Sequence, residues 1–278
     1  DYFINLAAQT FVGSSWDFPS QTWECNTTGV IHILEAIRQH KPSCRFYNAG
    51  SSEEYGNVAY TPQDEKHPLR PRSPYGASKA AARLLVKVYR ESYNLYAIQG
   101  LLFNHEGVRR GEEFVTRKIT KGVARIVKAI HNNEHFEPIE LGNVKARRDW
   151  SDAEDFVHGI WLMLNQDKPN EYVLSSDETH TIAEFVYYSF KAAGIEGAWH
   201  GEAESSEFSI TTQDAIRYEP VSSVLVKINK KYYRPAEVDL LLGDSTKARN
   251  ELKWEPKTSF EQLVTKMVKN DLKQIRLL

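Results

Sequence analysis

Tyr75 and Lys79 stand four apart in Ser73-Pro74-Tyr75-Gly76-Ala77-Ser78-Lys79, and on a helix that spacing puts both on one face. An ammonium beside a phenol favours the phenolate and draws a tyrosine down from about 10 toward the range of a working general base. Such a pair can take a proton from a substrate hydroxyl. The spacing also arises by chance on solvated helices, so its neighbours decide its meaning. Upstream, Cys44-Arg45-Phe46-Tyr47-Asn48-Ala49-Gly50-Ser51-Ser52-Glu53-Glu54-Tyr55-Gly56 reads as a short strand running into small residues and a turn. Ser51 and Glu53 sit where that strand ends. Ligands of open α/β sheets bind beyond the carboxyl ends of the strands, so a hydroxyl and a carboxylate placed there can face a substrate. The plainer alternative is a serine-rich turn with a solvated acid.

The elements that must position these groups alternate along the chain. Tyr2 to Gln9 opens as an apolar strand ending in small residues. Asn26 to His40 carries Val30, Ile33, Leu34 and Ile37 at helical spacing, and Cys44 to Ala49 returns as a strand, completing a βαβ unit. Ser78 to Tyr93 predicts a second helix and Tyr96 to Phe103 another strand. The expectation is an α/β fold, a doubly wound, Rossmann-like parallel sheet, with a smaller α/β domain beside it. From Gly107 the character changes, with Arg109, Arg110, Glu112, Glu113, Arg117 and Lys118 clustered together. Residues 1–106 with about 149–168 are assigned to the dinucleotide-binding domain, and 107–148 with about 169–278 to a substrate domain. Asp152 to Asn165 predicts a helix returning to the sheet, Gly201 to Glu219 a long loop or lid, and Ser259 to Leu278 an amphipathic helix.

With 278 residues, 41% of them hydrophobic, the chain can bury a substantial core. Its 35 Lys+Arg and 37 Asp+Glu nearly cancel, so no overall field argues for a nucleic-acid or membrane partner. No apolar run approaches the roughly 20 residues needed to span a bilayer, and the expected location is cytoplasmic. Cys25 and Cys44 are too few for a zinc cluster or a disulfide framework and are expected to be buried thiols. His131 and His135, four apart and without a nearby cysteine, read as a polar face, so no metal is expected.

The hydroxyl, the carboxylate and the Tyr/Lys pair together resemble the active site of the extended short-chain dehydrogenase/reductases. More specific are Leu101-Leu102-Phe103-Asn104-His105-Glu106, Arg109 through Ile119, Leu141-Gly142-Asn143 with Arg148-Asp149-Trp150, and Tyr232 through Val238 with Leu242-Gly243-Asp244. Essentially from Asp1 to the end, these look like the GDP-mannose 4,6-dehydratase family. That resemblance implies catalytic roles for Ser51, Glu53, Tyr75 and Lys79. It implies an NADP site lined by Leu6, Ala7, Ala8, Gln9, Thr10, His105 and Arg110 as well as Tyr75 and Lys79. Asn104, Val115, Lys118, Arg148, Arg234 and Glu237 fall where the family contacts the GDP-sugar. Several arginines suit a diphosphate, since guanidinium groups bind phosphate oxygens in paired, charge-assisted contacts. The substrate implied is GDP-mannose, oxidised at C4, dehydrated across C5–C6 and reduced at C6, by a homo-oligomer.

Three positions depart from the family pattern. The Gly-rich turn that follows the first strand of this fold is absent, and the expectation is a fragment of a longer gene product in which two βαβ crossovers precede Asp1. Ser51 replaces the usual threonine with the same hydroxyl chemistry, in a context closer to the GDP-4-keto-6-deoxy-mannose reductases. Gln21 stands where a tyrosine is usual near the cofactor. The alternatives are that reductase, another nucleotide-sugar epimerase or dehydratase, and a catalytically silent sugar-nucleotide-binding protein.

Overall fold

The computed structural model describes residues 1–211, 223–233, 238 and 240–275. In chain order its first half contains β1 (Tyr2–Asn5), α1 (Pro19–Trp23), α2 (Gly29–His40), β2 (Arg45–Ala49), α3 (Pro74–Ser92), β3 (Ala97–Leu102), β4 (Asn104–Glu106) and α4 (Val115–His131). Then follow β5 (Ile139–Leu141), β6 (Arg147–Arg148), β7 (Trp150–Asp152), α5 (Ala153–Leu164), β8 (Tyr172–Leu174), β9 (His180–Thr181) and α6 (Ile182–Ala192). The last are β10 (Gly197–His200), β11 (Glu207–Ile210), β12 (Val224–Ile228) and α7 (Phe260–Gln274). The chain divides into two compact units, Asp1–His105 with Arg148–Thr179 and Ala236–Lys257, and Glu106–Arg147 with His180–Pro235 and Thr258–Leu278.

In the first unit β1, β2, β3 and β8 form a parallel sheet in that order. Successive side chains of a strand point to opposite faces. Phe46 and Ala97 therefore join Val30 and Leu34 of α2 and Ala82 and Val86 of α3, whereas Tyr47 and Ile98 join Phe156, Ile160 and Met163 of α5. Helices cover both faces, as a doubly wound sheet requires, and all six residues of β3 are buried. Leu174, Leu252 and Trp254 pack into the α5 core. Burial there places β8 and the segment after residue 236 in the first unit, where the sequence reading assigned everything beyond about 168 to the second. Helix α3 begins at Pro74, earlier than the apolar spacing predicted, because Ser73 caps it by accepting the Gly76 amide at 3.0 Å and proline needs no partner for an amide hydrogen. Cys44 is buried, but Cys25 is exposed, contrary to expectation: it lies in the π-helical turn Glu24–Thr28 that precedes α2.

In the second unit β10, β11 and β12 are antiparallel and β5 lies parallel to β12. Phe190 of α6 stacks on Phe208 of β11, ring centroids 5.4 Å apart. Part of the stretch expected to be loop is thus strand: Phe208 and Ile210 are buried between solvated neighbours, an alternation too short to stand out in a polar segment. Residues 212–219 of that stretch lie outside the described residues. Arg117 of α4 and Asp271 of α7 are both buried and form an ion pair at 2.7 Å, so Arg117 serves packing of its unit.

Candidate active site

Strand β2 delivers its end against β3. The Gly50 amide donates to the Gly100 carbonyl at 2.9 Å, and a Cβ on Gly50 would stand 2.5 Å from that same oxygen, so only glycine lets the chain leave the sheet this closely. Ser51 then caps the short turn Ser52–Glu54. Its Oγ accepts the Glu53 amide at 3.2 Å, while its own amide donates to Glu54 Oε1 at 2.9 Å. Accepting uses a lone pair and leaves the Ser51 hydroxyl proton available to donate.

The first turn of α3 packs onto this turn. A Cβ on Gly76 would lie 2.6 Å from the Glu53 carbonyl oxygen, which fixes how near Tyr75 and Lys79 come to Ser51 and Glu53. Tyr75 and Lys79 are both buried. The Lys79 ammonium donates to the Ala49 carbonyl at 2.8 Å and lies 5.9 Å from the Tyr75 ring centroid. Burial lowers the Lys79 pKa to about 8, and the charge of Glu54 opposes that shift. The start of α3 thus brings a phenol and an ammonium to a turn that carries a hydroxyl and a carboxylate, groups able to move protons.

The segment Leu6 to Thr10 follows β1 and is tied to this face by Asn26, a residue the sequence reading passed over. Asn26 Oδ1 accepts the Gln9 amide at 2.8 Å, and its Nδ2 donates to the Gln9 carbonyl at 3.1 Å and to Ser78 Oγ at 3.0 Å. Ser78 Oγ in turn donates to the Tyr75 carbonyl at 2.7 Å. The available signal was a polar Asn26-Thr27-Thr28-Gly29 run at the start of an otherwise amphipathic helix. Also unread were three amides at one level of the sheet. Asn5, Asn48 and Gln99 are in register across β1, β2 and β3; Asn5 Nδ2 donates to Asn48 Oδ1 at 2.8 Å and Asn48 Nδ2 to Gln99 Oε1 at 2.8 Å.

Of the remaining expected residues in the first unit, His105 places Nδ1 2.9 Å from the Phe103 carbonyl and its ring 5.0 Å from that of Phe156. Asn104 Oδ1 is buried and accepts no hydrogen bond among the described residues. Arg148 is buried and donates to the Val238 carbonyl at 2.7 Å. Arg234 and Glu237 lie outside the described residues. In the second unit Arg110 pairs with Glu106 at 3.1 Å and stacks its guanidinium 3.5 Å from the Phe114 ring centroid. Val115 opens α4 and Lys118 follows one turn later, its ammonium 3.5 Å from the Tyr232 ring centroid. Lys118, Tyr232, Lys121, Arg125 and Lys227 line an open cleft of about 660 Å³ in this unit.

The family model described as GDP-mannose 4,6 dehydratase matches residues 1–267. Among characterised relatives, GDP-mannose 4,6 dehydratase of Drosophila melanogaster is 45% identical over 274 residues, covering 98% of this chain and 66% of its own. The Homo sapiens protein of the same name is 42% identical over 98% of this chain and 70% of its own. The chain therefore spans about two thirds of the length of these relatives. Among solved structures, RMD from Pseudomonas aeruginosa complexed with NADPH superposes with a TM-score of 0.78 at 22% identity, over 99% of this chain and 82% of that one, a likeness of fold. A match along nearly the whole chain, at this level of identity, settles membership: the chain belongs to the GDP-mannose 4,6-dehydratase family.

Proposed function

We propose that the chain carries the chemistry of a GDP-mannose 4,6-dehydratase, converting GDP-mannose to GDP-4-keto-6-deoxy-mannose with NADP. The observation that carries this is the gathering of Ser51, Glu53, Tyr75 and Lys79 at the end of one strand, with the Lys79 ammonium buried on the Ala49 carbonyl. The residues present suit a nicotinamide nucleotide. The hydrogen bond from Lys79 to Ala49 uses one of three ammonium donors, and the others can meet ribose hydroxyls. Leu6 to Thr10 and His105 would meet other parts of it. When bound, the cofactor accepts a hydride from C4 of the sugar and later returns it to C6.

Tyr75 takes the O4 proton while Lys79 stabilises the phenolate, and Ser51 donates a hydrogen bond to the oxygen that becomes a carbonyl. That carbonyl acidifies the neighbouring C5 hydrogen. Glu53 removes it as base and assists departure of the C6 hydroxyl as water. By the family resemblance Asn104, Val115, Lys118 and Arg148 would contact the sugar nucleotide, Lys118 and Arg148 as cations and Val115 as an apolar contact. The test is to incubate the purified protein with GDP-mannose and NADP⁺ and look by mass spectrometry for a sugar nucleotide lighter by one water. Its formation supports the dehydratase. Consumption of GDP-4-keto-6-deoxy-mannose with NADPH, and no water loss from GDP-mannose, would reassign the chain as a reductase.

A further inference from the structure

Beside Glu53 the chain places a second acid, Glu54, which takes no part in the steps above. Its side chain is fully buried. Oε1 accepts two hydrogen bonds, from the Ser51 amide at 2.9 Å and from Gln99 Nε2 at 3.0 Å, while Oε2 accepts none among the described residues. Gln99 ends the ladder Asn5–Asn48–Gln99, in which every side-chain amide donates in the same direction. Dipoles aligned this way polarise one another, and all direct their positive ends at Glu54. Lys79 and Arg83 face the carboxyl from α3, Tyr47 from β2 and Tyr55 from the following residue. Arg83 is already committed to Glu171 at 3.0 Å. Lys79, by contrast, gives its hydrogen bond to a neutral carbonyl.

We propose, on the dehydratase reading above, that Glu54 is a positioning residue of the active site: it locks the Ser51 turn through the Ser51 amide and supplies the buried negative charge that keeps Lys79 an ammonium beside Tyr75. Burial raises the Glu54 pKa to about 7, against the pull of Arg83, the Ser51 amide and Lys79. Lys79 is lowered to about 8 by its own burial, with Glu54 acting the other way. Glu54 therefore becomes an anion as the medium turns alkaline, in the range where Lys79 would otherwise lose its proton. A leucine of similar size would fill the same space without burying a charge, but would do neither task.

The experiment compares the parent protein with Glu54→Gln and Glu54→Leu. Gln keeps both acceptor contacts and removes the charge; Leu removes both. The Lys79 titration is followed by NMR on isotope-labelled lysine, its resonance assigned from Lys79→Met, alongside the pH profile of sugar oxidation. In Glu54→Gln the Lys79 midpoint should fall by on the order of one pH unit, and the alkaline limb of activity should move down with it. Glu54→Leu should show the same shift and, having lost its hold on Ser51, a lower kcat at the optimum as well. An unmoved Lys79 midpoint in Glu54→Gln overturns the proposal whatever the activity. A moved midpoint in a parent protein that releases no water from GDP-mannose keeps the charge coupling and sinks the dehydratase reading instead. Should Glu54→Leu fail to fold, Glu54→Gln decides alone.

Discussion

An edge strand and an inner strand of the parallel sheet differ in how they are held. At β1, Tyr2, Phe3 and Ile4 are 46%, 42% and 46% exposed and Leu6 is 63% exposed; side chains on both faces of that strand meet solvent. At β3 every residue is buried, and the turn that follows β2 is clamped by Gly50 on Gly100 and by Gly76 on Glu53. The segment Leu6 to Thr10 has a few specific ties, the Asn5 side chain to the Ala7 amide at 3.2 Å and Asn26 to Gln9. Groups that move protons must hold their geometry to fractions of an ångström, and close packing provides it. A segment assigned to grip a ligand can instead be held by separate hydrogen bonds. Damage at the packed inner strands should therefore appear in catalysis and stability, and damage at the exposed edge strand mainly in ligand affinity.

The largest effect should come from Tyr75→Phe. Loss of the phenol removes the acid–base group, so kcat should fall by about 10²–10⁴-fold with an unchanged melting temperature; retained turnover would remove Tyr75 from its role. Next is the pH dependence of Glu54. Its folded pKa, about 7, lies above the unfolded value, so the folded state binds the extra proton and stability falls as pH rises through that interval. The stability of Glu54→Gln relative to the parent should therefore grow between about pH 4.5 and 7, by on the order of 3 kcal/mol. Denaturant unfolding at several pH values checks it, and a difference that does not vary with pH would mean that Glu54 titrates normally. Gly76→Ala comes third: its Cβ would press on the Glu53 carbonyl, costing about 1–3 kcal/mol and some activity. Equal stability would show that the clamp yields. Smallest is Leu6→Ala at the exposed end, within about 0.5 kcal/mol in stability, with any change confined to the nucleotide Kd measured by titration calorimetry.

Much of the plan was legible in the residues. The periodicities of Val30 to Ile37 and of Asp152 to Asn165 mark helices because each must bury one stripe, and the structure has them at Gly29–His40 and Ala153–Leu164. The strand expected over Tyr96 to Phe103 is present at Ala97–Leu102, buried on both faces. The placement of Ser51 at a strand end and of Tyr75 and Lys79 on one helix was readable because helical spacing and a strand end are local properties, carried by neighbouring residues. The start of α3 was misplaced by a rule that is also local: apolar spacing outweighed the Ser73 cap and Pro74.

What sequence alone could not decide depends on residues far apart in the chain. Asn5, Asn48 and Gln99 are three unremarked amides until parallel pairing sets them side by side, and Glu54 is one of two adjacent acids until that ladder ends on it. Arg117 belonged to a basic cluster fit for phosphate; the packing of α4 on α7 gives it Asp271 instead. Composition, spacing and motif determined the fold class and the family and named the candidate side chains, since these follow from short-range periodicity and residue chemistry. Tertiary structure decided which polar groups are buried and what they pair with, because desolvation and hydrogen bonding depend on the register of strands and the contact of helices that no local window contains.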